Sequence, residues 1–72
     1  MSAEVDGESA KLVRMANQIA DYFRAYPDDV AREGVRNHLK SFWTPRMLRE
    51  LQGQADAPSM HPLVHAVLPL LN

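Results

Sequence analysis

The sequence predicts an all-α fold, a small bundle of three to four short helices. Three observations carry that expectation. Apolar residues recur at steps of three and four along most of the chain, the period of a helix buried along one face. Pro27, Pro45 and Pro62, each beside a polar residue, punctuate the pattern where helices start or stop. No stretch alternates apolar and polar residues as a half-buried strand does, and no repeat or low-complexity tract competes.

Residues 1–8, MSAEVDGE, are polar and acidic and are expected to be flexible or ordered only on a partner; residues 9–72 form one helical domain. Ser9 reads as the N-cap of a first helix that runs to about Tyr26 and is closed by Pro27. Leu12, Met15, Ala16, Ile19, Phe23 and Tyr26 share one face of it, with Arg14, Gln18, Asp21 and Arg24 on the other. Asp28 and Asp29 offer a capping oxygen and negative charge to the start of a second helix, which runs to about Ser41. Its apolar positions are Val30 or Ala31, Val35, Leu39 and Phe42. Gly34 sits in its middle at a cost of about 1 kcal/mol relative to Ala, which points to close approach of another element.

Thr44 and Pro45 read as the N-cap and first residue of a third helix carrying Met47, Leu48 and Leu51. GQADAPS, from Gly53 to Ser59, has the composition of a loop. Pro62 then starts a fourth helix with Leu63, Val64, Val67 and Leu68, which Pro69 frays or kinks.

A chain of 72 residues is one domain at most. Below roughly 70–80 residues a single core rarely supplies more than about 3–5 kcal/mol. Cysteine is absent, so disulfides and thiolate zinc sites are excluded as staples. With 46% hydrophobic and 24% charged residues the chain should nonetheless fold, with a partner supplying what the core lacks.

Catalytic machinery is not visible. There is no glycine-rich phosphate loop, and Ser9, Ser41 and Ser59 fall at helix ends or in the loop, where serine caps and turns. His61 and His65 have the i, i+4 spacing of paired metal ligands, but Pro62 makes His61 the cap of the fourth helix rather than a ligand on its face. No catalytic, cofactor-binding or metal-ligating residue is therefore assigned. Eight basic residues face nine acidic ones, a poor balance for neutralising phosphates, so no nucleic-acid partner is expected. No run approaches the eighteen or so apolar residues that cross a bilayer, and the first eight residues lack the apolar core of a signal peptide; a cytoplasmic protein without a membrane partner is the expectation.

What remains is binding. In HLKSFWTPRM, His38, Phe42, Trp43, Pro45, Arg46 and Met47 crowd the corner between two helices, and Trp, Arg and Met are residue types that interfaces favour. If Phe42 fills the core, Trp43 lies about 100° around the helix and outward. Trp43 and Arg46 are then the expected docking anchors, although Arg46 can also pair with Glu50 four positions on. Asn17, beside the apolar stripe of the first helix, is expected to hydrogen-bond a partner's backbone.

The segments KLVRMANQIADYF, residues 11–23, and HLKSFWTPRM, residues 38–47, together resemble the delta subunit of NAD-dependent, molybdenum-containing formate dehydrogenases, and the closing PLVHAVLPLL is similar to that family's C-terminal end. The resemblance runs from about Lys11 to Leu71. Its most specific parts are Met15-Ala16-Asn17 with Ile19 and Phe42-Trp43 with Pro45-Arg46-Met47. Two departures are Thr44, where the family often has an acidic residue, and QADAPSM in place of a glycine-rich turn.

The resemblance implies a non-catalytic accessory subunit of a soluble complex that aids assembly, molybdenum-cofactor insertion or holoenzyme stability. The implied partner is the large alpha subunit, with its bis-molybdopterin guanine dinucleotide molybdenum centre and iron–sulfur clusters, beside beta and gamma subunits that pass electrons to NAD through FMN. The chain itself is expected to bind none of these cofactors. The competing expectation is a small helix-turn-helix-like regulatory or nucleic-acid-binding module, suggested by Arg32, Arg36, Lys40, Arg46 and Arg49 across the second and third helices.

Overall fold

The computed structural model describes residues 2–71, with side chains from Glu8 onward. Four α-helices follow one another: α1 (Ser2–Phe23), α2 (Asp28–Phe42), α3 (Pro45–Gln52) and α4 (Pro62–Val67), the last running into a 3-10 turn, Leu68–Leu70. α1 packs on α2 and α3, and α4 closes against α2 and α1. There is no strand among the described residues.

Local sequence sets most helix ends. The Thr44 hydroxyl oxygen accepts the Met47 backbone N–H at 3.2 Å, with Pro45 in the first turn of α3. His61 caps α4 in the same manner, its Nδ1 accepting the Leu63 N–H at 3.1 Å. Both caps fall where the sequence places them. Three other boundaries differ. α1 ends at Phe23, short of the expected Tyr26. The capping position of α2 is Pro27, without a side-chain cap, and Asp28 and Asp29 lie in its first turn, where their charge still opposes the positive end of the helix dipole. α1 begins at Ser2, so Ser9 lies within the helix instead of capping it. The expected flexible segment 1–8 falls, apart from Glu8, on Met1 and on residues whose side chains lie outside the described ones.

The core is one cluster to which every element contributes: Leu12, Val13, Ala16 and Ala20 from α1, Val35 and Leu39 from α2, Leu48 and Leu51 from α3, and Val64 and Val67 from α4. Trp43, Leu68 and Leu71 complete it. Ala16 and Ala20 are fully buried, because small side chains let neighbouring helices approach the α1 backbone. This rotates the buried stripe of α1 away from the expected one, leaving Ile19 and Phe23 at its margin and Met15 and Tyr26 exposed. Of the pair Val30 and Ala31, Ala31 is the buried one.

Gly34 is where α2 meets the end of α1. A Cβ on Gly34 would stand 2.5 Å from the ring carbons Cδ1 and Cε1 of Phe23, so the missing side chain makes room for that ring.

The largest departure concerns Phe42 and Trp43. Phe42 is 74% exposed and Trp43 only 7%, the reverse of the expected arrangement. The 100° argument fails because Trp43 is not helical: the chain leaves α2 there in an extended conformation, φ −96° and ψ 144°. That exit turns the indole into the core while Phe42, the last helical residue, faces outward.

Candidate docking face

α1 and α2 present a second, outward apolar face beside the one they bury. On α1 it is carried by Ile19, Tyr22 and Phe23, and on α2 by His38 and Phe42, one turn apart. Gln18, Ile19, Tyr22, Phe23 and His38 line a shallow groove of about 360 Å³ between the helices. The His38 ring lies 4.8 Å from that of Phe42, and Tyr22 meets Phe23 edge to face at 5.0 Å. A second groove of about 240 Å³ continues past Phe23 to Tyr26, Val30 and Gly34.

Tyr22 is 69% exposed, close to the 74% of Phe42. Single exposed apolar residues are ordinary on a protein surface, whereas aromatic rings gathered around a groove mark a surface built to be covered. Apart from Glu33 at the edge of the second groove, no charged residue lines either one. The face is therefore mostly apolar, with the His38 ring and the Gln18 amide as the polar groups of its first groove.

The residues singled out in the sequence fall in three places. His38 lies on the apolar face. Trp43 and Pro45 line a separate cleft at the other side of the α2–α3 corner, where Arg46 is exposed and Met47 half-buried against the core. Arg46 and Glu50 form no ion pair among the described residues.

Asn17 occupies the third place, and its amide is satisfied within the chain. Its Nδ2 donates to the Ser59 carbonyl at 2.8 Å and its Oδ1 accepts the His61 backbone N–H at 2.8 Å. Both bonds are made to the chain's own segment ahead of α4, so this half-buried amide has partners without a second protein.

Sequence reasoning put Phe42 at the docking corner but turned its ring into the core, and it did not single out Tyr22. The available signal was the width of the apolar arc on α1, where Met15, Ile19 and Tyr22 repeat beside Leu12, Ala16 and Ala20 and exceed what one buried stripe requires.

Among the described residues no group of three His, Cys, Asp or Glu side chains stands where it could hold a metal ion, and no helix is long and apolar enough to cross a membrane. The family model described as NADH-dependent formate dehydrogenase delta subunit, FdsD, matches residues 11–68. No curated protein and no solved structure matches the chain.

Proposed function

The chain belongs to the delta-subunit family of NADH-dependent formate dehydrogenases, and on that premise we propose that it is a non-catalytic accessory subunit docking through the Ile19–Tyr22–Phe42 face onto the large alpha subunit. The observation that carries the reading is the exposure of Phe42 and Tyr22 on one groove-bearing face of a chain that belongs to a multisubunit enzyme. Covering two such rings is favourable by about 1.5–3 kcal/mol for each fully buried side chain.

The role that follows is assembly. A module of this size that covers an apolar patch of a larger subunit stabilises whichever conformation it binds, by mass action. The conformation in question is the one that accepts the molybdenum cofactor or holds it in the finished enzyme. The bis-molybdopterin guanine dinucleotide centre, the iron–sulfur clusters and the FMN belong to the partner subunits in this reading. This chain has no cysteine thiolate to offer a cluster. The complex works in the cytoplasm, without nucleic acid or membrane as a partner.

Co-purification with the alpha subunit tests the proposal. Phe42→Asp places an uncompensated charge beside His38 on the face without touching the core, and the complex is expected to lose this subunit while the free chain keeps its helical signal. Retention of Phe42→Asp and Tyr22→Asp at the level of the unaltered chain would remove the face from consideration.

A further inference from the structure

The two apolar grooves share Phe23 and lie end to end between α1 and α2. On the α1 side they run forward from Gln18 through Tyr22 to Tyr26, and on the α2 side backward from His38 to Val30, as in an antiparallel pair. Phe42, against the His38 ring, extends the first end. At about 1.5 Å per residue, α2 from Val30 to Phe42 gives this trough a length of about 18 Å. Its walls are helical from Gln18 to Phe23 and from Val30 to Phe42, so they offer side chains and no row of free backbone groups such as a sheet edge presents. Among the described residues Glu33, at the edge of the second groove, is the one charged side chain that lines it.

We infer that the occupant of this trough is a single amphipathic helix of the large alpha subunit, about three turns long and laid along the α1–α2 groove. A segment buried there has to satisfy its own backbone N–H and C=O groups, because the helical walls have none to give, and each group left unpaired is costly. A helix meets that requirement within itself, whereas an extended segment does not. Apolar side chains at steps of three and four then form one ridge that fills the groove between the two helices. That ridge carries no charge, since a charge would lose its water in a trough without a counter-charge along most of its length. A second copy of this chain is a poorer fill, because it would lay groove against groove. The inference rests on the docking reading for which protein supplies the helix; the helical form is argued from the trough.

Photo-crosslinking in the assembled complex tests the helix. The photoreactive amino acid p-benzoylphenylalanine is placed at Phe42, Tyr22 or Tyr26, one ring for another at exposed positions, and the linked residues are found by mass spectrometry. Adducts from positions 42 and 26 are expected in one continuous segment of the alpha subunit, about eleven residues apart and on one helical face, with those from position 22 between them. An extended segment would place the two ends about five or six residues apart, at about 3.3 Å per residue, and that spacing would overturn the inference. Adducts on two unconnected segments of the alpha subunit would overturn it as well, while leaving the docking face in place. Links to a second copy of this chain, or no link to the alpha subunit from any of the three positions, would overturn the docking reading and the helix with it.

Discussion

Asn17 and His61 are joined across 44 positions of sequence, the His61 backbone N–H donating to the Asn17 side-chain oxygen at 2.8 Å. The same amide donates to the carbonyl of Ser59, so one side chain of α1 holds the chain just where α4 begins. In a domain of this size the ends of a six-residue helix are not fixed by its own hydrogen bonds. Asn17 therefore orders α4 from outside it.

Asn17→Ala should cost about 1–3 kcal/mol, the net value of two hydrogen bonds and of backbone groups left without partners. Asn17→Asp keeps the acceptor for His61 and loses the donor to Ser59, so its cost should be intermediate if the carboxylate is tolerated beside that carbonyl. Urea denaturation gives both numbers, and amide exchange should show faster opening in α4 than in α2. Equal stability of all three proteins would show that the staple is redundant.

The Phe42–Trp43 reversal separates binding from folding. Trp43→Ala removes a core ring and should cost about 3–5 kcal/mol, enough to unfold most of the isolated chain. Phe42→Ala should change its stability by no more than about 0.5 kcal/mol yet weaken the complex by about 2 kcal/mol. Thermal melts of the free chain and affinity for the alpha subunit check the two halves, and a stable Trp43→Ala variant would contradict the core assignment.

Gly34 and Phe23 should be coupled. Alanine at position 34 gains helix propensity of about 1 kcal/mol but drives its Cβ into the Phe23 ring. Gly34→Ala alone is expected to be neutral or destabilising. In a Phe23→Ala background the same substitution should stabilise by about 0.5–1 kcal/mol. A double-mutant cycle with no coupling would mean that the ring moves aside at no cost.

His61 can be tested as a cap apart from its backbone bond to Asn17. His61→Asn retains a side-chain acceptor for the Leu63 N–H and should be close to neutral, whereas His61→Ala should lose about 1 kcal/mol. Asp21, whose carboxylate oxygen lies 3.6 Å from His61 Nε2, is largely exposed, and Asp21→Asn should have little effect by comparison. Denaturation midpoints of the three variants rank them, and a cost for Asp21→Asn as large as that for His61→Ala would shift the role from capping to ion pairing.

The sequence by itself determined the four-helix organisation and the family, because proline starts, capping residues and the 3.6-residue apolar period act through neighbours only a few positions away. Thr44–Pro45 and His61–Pro62 are of that local kind. The placement of side chains was less legible: Trp43 was expected outward and lies in the core, Phe42 is the reverse, and the Asn17 amide bonds the chain's own loop. Only the tertiary structure decided those. Asn17 finds its partners more than forty residues away, which no local pattern encodes. Whether Phe42 or Trp43 turns inward depends on the dihedral angles at which the chain leaves α2, not on the apolarity of either residue. Helical period says which residues share a face; packing alone says which of two apolar faces is covered from within and which is left for a partner.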